Sequence, residues 1–334
     1  MEIARPYLLF LGDVPDALAA KTAIGIVDWR KDWCLGQVRM PGCAADTGLA
    51  DMSIAEGAEA GAKTFIIGAV NAGGRLPEHW VESVVEALDT GMDVASGLHV
   101  RLASVPAIKE AAERNGRQLH DVRHSSMAFA TGKGTKRAGR RILAVGTDCS
   151  VGKKYTALAM DKAMNDRGYS STFCATGQTG VFISGRGVAL DAVIADFISG
   201  AAEWISPETD PDNWQIIEGQ GSLFHPSFAG VTLGLLHGSQ PDALILCHEP
   251  TRKHMRGLPH MPIPKLEDAF EPYLSLGRLT NPAVKFVGIS VNTSALDAAA
   301  GDKALKEIED RFGLPAVDPI RQGPGRIVDE MLKL

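Results

Sequence analysis

Short apolar runs alternate with stretches of helical spacing along most of the chain, and the alternation begins at once. Residues 7–11 are an apolar run that ends in Gly12 and Asp13, and residues 23–27 form a second run; both read as strands. Residues 63–70 (KTFIIGAV) predict a third strand, followed by the loop Asn71-Ala72-Gly73-Gly74-Arg75. Val81, Val84, Val85 and Leu88 then recur at i, i+3, i+4 and i+7, one apolar face of a helix. Residues 92–96 predict a strand closing on Gly97, residues 106–114 a helix before Gly116, and residues 119–122 a last strand. Strands alternating with helices imply a parallel, Rossmann-like sheet over residues 1–123. Residues 124–140 are rich in Gly, Ser, Thr and basic side chains without periodicity, and predict a linker.

From residue 141 the alternation resumes. Residues 142–145 predict a buried strand, and Ala157, Met160, Ala163 and Met164 predict the helix after it. Residues 171–175 give the next strand, which runs into the polar loop Thr176-Gly177-Gln178-Thr179-Gly180. Leu190, Val193, Ile194, Phe197, Ile198 and Ala201 carry the strongest helical periodicity of the chain and predict one continuous helix. Residues 214–217, 242–247, 284–291 and 315–318 read as strands, and 231–237, 266–276, 302–312 and 327–334 as helices. Residues 141–334 are therefore expected to form a second α/β domain.

Between the strand at 142–145 and its helix lies Gly146-Thr147-Asp148-Cys149-Ser150-Val151-Gly152-Lys153-Lys154-Tyr155-Thr156. Strand, glycine-bounded loop with a lysine, then helix is the context of a phosphate-binding loop. Backbone N–H groups turn inward, the helix N-terminus offers unpaired donors, and the lysine adds a charge. Five residues rather than four separate Gly146 from Gly152, and Lys154 stands where a hydroxyl normally holds Mg²⁺. Thr156, two residues further along the helix, points elsewhere. Two adjacent lysines suit phosphates neutralised without metal, so the coenzyme A phosphates fit better than Mg-ATP. The loop resembles that of the dethiobiotin synthetase branch of P-loop proteins. Glu218-Gly219-Gln220-Gly221-Ser222, after the strand at 214–217, resembles that group's second signature, where a glutamate ends a central strand beside the phosphates. Glu218 is expected to act as a general base. The same resemblance implies that Asn292, at the end of the strand at 284–291, contacts a nucleotide base.

The chain has 334 residues, enough for two domains, with 45% hydrophobic and 22% charged residues and a net charge of −6. A mildly acidic chain without a long basic run argues against nucleic acid as a partner. No stretch has the roughly 20 apolar residues that span a bilayer, and the first residues lack a signal-peptide pattern, so a cytoplasmic location without a membrane partner is expected. The five cysteines include no C-x-x-C pair and predict reduced thiols without structural zinc. Cys149, near a helix N-terminus, is expected to have a lowered thiol pKa and is either a nucleophile or a small loop filler. His225, His237 and His248 fall near strand ends without paired ligand spacing, which favours one proton-transfer histidine over a metal cluster. Arg75 could grip a carboxylate bidentately or be a solvated turn residue. Gln178, Gln220 and Arg252, in polar or basic loops at strand ends, are further candidate substrate contacts.

Several long stretches together (NAGGRLPEHWVES, SGLHVRL, VGTDCSVGKKYTALAM, ATGQTG, IIEGQGSLFHPSFAGVTLGLLHGSQPDALILCHEPTR and VGISVNTS) resemble one two-domain family, formerly without a known function. Some of its members are DgcN-type D-glutamate N-acetyltransferases. The resemblance covers nearly the whole chain. It implies acetyl transfer from acetyl-CoA to the amino group of D-glutamate; the loop composition predicts no tightly bound metal, and the protein is expected to be a homo-oligomer. For direct transfer, Glu218, or a histidine among His225 and His248, is expected to take the ammonium proton. Ser222 or backbone N–H groups stabilise the oxyanion, and Arg75 with Arg252 binds the two carboxylates. The alternatives are a Mg-ATP-dependent kinase or ligase of the dethiobiotin synthetase type, and a nucleotide-sensing protein without turnover.

Overall fold

The structure is a computed structural model that describes residues 3–17, 19–69, 75–124 and 127–334. The chain divides into two compact units, residues 1–127 with 177–192, and residues 128–176 with 193–334.

In the first unit, β1 (Tyr7–Gly12), β2 (Cys34–Arg39), β3 (Thr64–Ile67), β4 (Asp93–Ser96) and β5 (Leu119–Asp121) form a parallel sheet in the order β2-β1-β3-β4-β5. Every residue of β1 is buried, which is why its sequence is a continuous apolar run instead of an alternating one. The helices are α1 (Lys21–Arg30), α2 (Ile54–Glu59), α3 (Val81–Asp89) and α4 (Pro106–Asn115). Ser53 and Glu56 close a reciprocal capping box at the start of α2. Proline in the first turn of α4 and left-handed Gly116 behind its last turn fix both of its ends.

Residues 23–27, expected as a strand, are the middle of α1. Thr22, Ala23, Gly25 and Ile26 are its buried residues, and so short an apolar run has the same signature in a buried strand and a buried helix. The second strand is instead β2, an edge strand whose Gln37 is buried. The Gln37 amide donates to Asp46 and Asp51 and accepts from Thr47, so β2 lacks the apolar signature of an inner strand.

The second unit holds a parallel sheet of β6 (Arg140–Gly146), β7 (Ser171–Cys174), β8 (Trp214–Ile217), β9 (Ala243–His248), and, after the antiparallel hairpin of β10 (His254–Met255) and β11 (Leu258–Pro262), β12 (Lys285–Val291) and β13 (Ala316–Val317). The order is β13-β12-β9-β6-β8-β7. The chain winds from β6 toward β7 and β8, then reverses to β9, β12 and β13. The C-terminal end of β6 is thus the switch point, where open α/β sheets bind ligands. The helices that follow β6 in chain order are α5 (Lys153–Asp166), α6 (Gln178–Ser184), α7 (Ile198–Ile205), α8 (Ala229–Ser239), α9 (Phe270–Gly277), α10 (Ala298–Phe312) and α11 (Gly325–Met331). Of these, α6 belongs to the first unit.

Residues 141–334, expected as one continuous domain, are interrupted in that α6 and its surroundings, residues 177–192, join the first unit. The predicted helix through Leu190 and Ala201 is accordingly broken into turns at Leu190–Ala192 and Ala195–Phe197 before α7 begins. The chain passes from one unit to the other inside the stretch, and Ile194, on the predicted apolar stripe, is 70% exposed. The expected linker also carries structure. The N–H groups of Lys133 and Gly134 donate to Glu203, and Arg137 donates to the carbonyls of Ser206 and Gly238, so residues from 128 onward belong to the second unit.

Arg141, in the apolar strand β6, is wholly buried. Its guanidinium donates to the carbonyls of Arg137, Ala138, Gly139, Ser206 and Pro207, so it ties the entry of β6 to the chain after α7. Arg141→Met removes the donors and leaves these carbonyls without partners. We expect it to lower unfolding stability by about 3 kcal/mol or more, read as the urea midpoint. An unchanged midpoint would mean that water serves these carbonyls as well as the arginine does.

Candidate phosphate-binding and catalytic site

The loop after β6 wraps around its own aspartate. Asp148 is wholly buried; its Oδ1 accepts from Cys149 N at 2.7 Å and its Oδ2 from Arg256 N at 2.8 Å and Arg252 Nη1 at 2.9 Å. Ser150 (φ 54°) and Gly152 (φ 107°) are left-handed, which turns the loop inward before α5. At Gly152 a Cβ would find open space, yet that φ is unfavourable for any other residue. No side chain caps the N-terminus of α5. Lys153 is buried with its Nζ donating to the Asp148 carbonyl at 2.7 Å, and burial pushes its ammonium pKa down. Lys154 lies over the Tyr155 ring, with its Nζ 4.9 Å from the centroid. Thr156 turns away, as its spacing predicted. Its hydroxyl donates to Gly152 O and meets Ser290 Oγ at 2.7 Å.

Two neighbouring strands frame the loop. On the β9 side, His248 Nδ1 lies 3.0 Å from Thr147 Oγ1, and Cys247 O accepts from Thr147 N at 3.1 Å. Burial, with help from the Arg252 charge, pushes the His248 pKa down to about 4, so the ring is neutral at neutral pH. On the β8 side, Glu218 is buried; its Oε2 accepts from Thr176 N at 3.0 Å and its carbonyl from Thr176 Oγ1 at 2.7 Å. Gln220 donates to the same threonine hydroxyl at 3.2 Å. A Cβ on Gly219 would sit 1.6 Å from Ala144 O and 2.9 Å from Lys153 Cδ, so only glycine lets β8 pass this close to the loop lysine.

Other expected roles are taken up by structure. Ser222, expected as an oxyanion donor, is buried and gives its proton to Gly146 O at 2.8 Å. His225, expected as a possible base, is buried, with Nδ1 accepting from Ser227 N at 3.2 Å and Nε2 on Arg256 O at 3.0 Å. Both ring nitrogens are thereby committed to the backbone. Arg252, expected to bind a substrate carboxylate, spends its guanidinium on Asp148, on the carbonyls of Cys149 and Ser150 and on Glu249. Asn292 N donates to His248 O, and its side-chain oxygen accepts from Ser294 N at 3.1 Å, within its own turn. Cys149, expected to have a lowered pKa, has it raised instead, because burial outweighs the nearby lysine.

Gln178 opens α6 in the first unit, and Arg75 is exposed in the same unit. Asn71, Gly73 and Gly74 lie outside the described residues. Tyr273 carried no motif in the sequence. Its hydroxyl donates to Gly146 O at 2.8 Å and accepts from Leu223 N at 3.2 Å, bolting the start of the loop to the segment after β8, and burial raises its pKa to about 12.

Among the described residues, Asp148, Cys149 and His225 bring ligand atoms within 4.8 Å of one another. Both oxygens of Asp148 and both nitrogens of His225 already have hydrogen-bond partners, and the arginine on Asp148 repels a cation, so the group does not fit a divalent metal.

A parallel sheet with a glycine-bounded lysine loop at its switch point, in a chain that also holds a Rossmann-like unit, defines a two-unit P-loop protein. The chain belongs to the DUF1611 family: residues 128–328 match its P-loop domain and residues 38–125 its N-terminal Rossmann-like domain, both described as domains of unknown function. It is similar to a curated D-glutamate N-acetyltransferase from Tritonibacter scottomollicae, 57% identical over 329 residues, covering 98% of this chain and 99% of the relative. A relative of the same name from Pseudoalteromonas sp is 51% identical over 328 residues, with the same coverage of each chain. A crystal structure of a DUF1611 family protein from Anabaena variabilis is 30% identical and covers 99% of this chain and 100% of its own, with a TM-score of 0.87.

The lowered His248 pKa fixes a pH dependence. Between the ordinary value of 6.5 and the folded value of about 4, the unfolded chain takes up a proton that the folded chain refuses, so stability falls as pH drops through this window. Urea midpoints at pH 7 and pH 5 measure the fall. His248→Gln is expected to flatten it, and an identical fall in the variant would assign the titration to other groups.

Proposed function

We propose that this chain transfers the acetyl group of acetyl-CoA to the amino group of D-glutamate. The names of the two curated relatives supply the reaction. The observation on this chain that supports a coenzyme A donor is the composition of the loop. Lys154 stands where a P-loop nucleotidase carries its metal-holding hydroxyl, and the next serine or threonine hydroxyl along the helix, Thr156, is hydrogen-bonded into the sheet at Ser290. The uncapped N-terminus of α5, left-handed Ser150 and Gly152, and Lys153 fit a phosphate group whose charge lysine, not metal, balances.

In this scheme Lys153 and the first N–H groups of α5 hold the donor phosphates. Glu218 accepts a proton from the substrate ammonium; its carboxylate is buried and oriented by Thr176 N, whereas both ring nitrogens of the rival base His225 are taken up by backbone groups. The freed amine attacks the thioester carbonyl carbon, the C–N bond forms, the C–S bond breaks, and the proton that the attacking nitrogen then sheds goes to the leaving thiolate. Arg252 is then a positioning residue: it shapes the loop through Asp148 and two loop carbonyls.

Purified protein given D-glutamate and acetyl-CoA should release free thiol at the same rate with and without EDTA. Absence of thiol release, with ATP hydrolysed when Mg²⁺ is supplied, would replace the acetyltransferase by a kinase or ligase. Glu218→Gln should lower kcat by about 10²-fold or more while leaving the KM for acetyl-CoA near its original value. Retention of full turnover would remove Glu218 as the base.

A further inference from the structure

Thr176, two positions beyond β7, is wholly buried, and its N–H holds the Glu218 carboxylate. Its hydroxyl has one proton, and the Glu218 carbonyl, 2.7 Å away, can only accept it. Toward Gln220 the same hydroxyl oxygen must therefore act as acceptor, so the group that Gln220 presents to it at 3.2 Å is the NH₂ end of the amide. That settles which way the amide faces: Nε2 is spent on Thr176, and Oε1 is turned off it. The backbone that carries the amide is held as well, by Thr232 Oγ1 at 2.7 Å from the Gln220 carbonyl and by Gly219 seated against Ala144 O. Among the described residues Oε1 has no hydrogen-bond partner, and it is not sealed from solvent. The half-buried side chain thus offers an oriented acceptor that the fold does not use.

We infer that Gln220 Oε1 binds the amino group of the acceptor substrate beside Glu218, and that Thr176 is the positioning residue that holds both groups in place. The inference rests on the acetyltransferase proposal for the reaction and adds which atoms receive the amine. Charge selects the ligand. Glu218 brings a buried carboxylate and Gln220 the negative end of an amide dipole, both tied to one threonine, so the pair attracts an N–H donor and repels a carboxylate. The Lys153 ammonium is engaged by the Asp148 carbonyl. A substrate ammonium carries three N–H groups. One proton passes to Glu218, and of the two that stay on nitrogen one is donated to Gln220 Oε1. The lone pair that attacks the thioester carbon is then held in one direction instead of turning freely about the C–N bond.

Steady-state kinetics of the intact protein with D-glutamate and acetyl-CoA test this, with glutarate, which has the same two carboxylates and no amine, as competitive inhibitor. Gln220→Met keeps the length of the side chain and removes the acceptor. It should raise the KM for D-glutamate about tenfold or more, while the inhibition constant of glutarate and the KM for acetyl-CoA stay within about twofold. Thr176→Val, which removes the hydroxyl and keeps the N–H on Glu218, should move the D-glutamate constant the same way, and Thr176→Ser should recover most of that loss. Should Gln220→Met fail to fold, the two Thr176 variants carry the same comparison. A residue that merely shapes the site would weaken D-glutamate and glutarate together. That result, or an unchanged KM for D-glutamate in folded Gln220→Met, overturns the role of Gln220 while the acetyltransferase proposal stands. Wild-type protein that releases no thiol with D-glutamate overturns that proposal itself, and this inference with it.

Discussion

Asp148 is the residue on which the site depends. A carboxylate buried without partners would cost far more than a folded protein can spare, so the chain surrounds it with an arginine and two backbone N–H groups. Those partners come from different places. Cys149 N is in the loop itself, while Arg252 and Arg256 N are in the segment after β9. One buried charge thereby fixes the loop to the strand end beside it. The Asp148 carbonyl, held in place, receives Lys153, so the loop lysine is oriented by the same residue that orients the loop. The arginine would be expendable as a surface charge; here it is 13% exposed and bonded to a partner that is fully buried.

The other flank is set by steric contact. Gly219 lets β8 approach Ala144 O and the Lys153 side chain more closely than any Cβ permits. Tyr273 and Ser222 then both donate to Gly146 O, which closes the polar accounts of the turn at the end of β6. The result is a loop held by charge on one side and by close packing on the other. Of its two lysines, Lys153 is buried and Lys154 half-buried.

How much of this was legible in the sequence follows from what kind of signal each part carries. The parallel sheets were readable because strands buried on both faces must be apolar runs, and the phosphate loop because its glycines and lysine answer a backbone requirement. The strand at Cys34–Arg39 was not, since an edge strand with Gln37 buried by hydrogen bonds has no apolar run to detect. The break between Leu190 and Ala201 was hidden because periodicity records which residues are apolar and says nothing about which core each one enters. Ser222, His225 and Arg252 have the residue types of a catalytic or binding site. Whether a hydroxyl, an imidazole or a guanidinium faces a ligand or a backbone carbonyl is decided by a few ångströms that spacing does not encode. Glu218 follows the inner strand β8 and is buried there, as the segment resembling a second P-loop signature led one to expect, while its part as the base belongs to the proposal. Tyr273 and Asp148, as the fasteners of the loop, carry no such mark.

The excursion of residues 177–192 bears on how the chain comes into being. The first unit contains its own five-stranded sheet within residues 1–127, yet Phe182 O accepts from Tyr7 in β1, and Asp191 pairs with Arg123 beside β5. A ribosome delivers residues in order, so the first unit remains short of its last piece until the phosphate loop, α5 and β7 of the other unit have already been made. A nascent chain cannot finish one unit and then begin the next. The two must be in progress together, and a gene cut at residue 127 yields two fragments of which the first is missing part of its own packing.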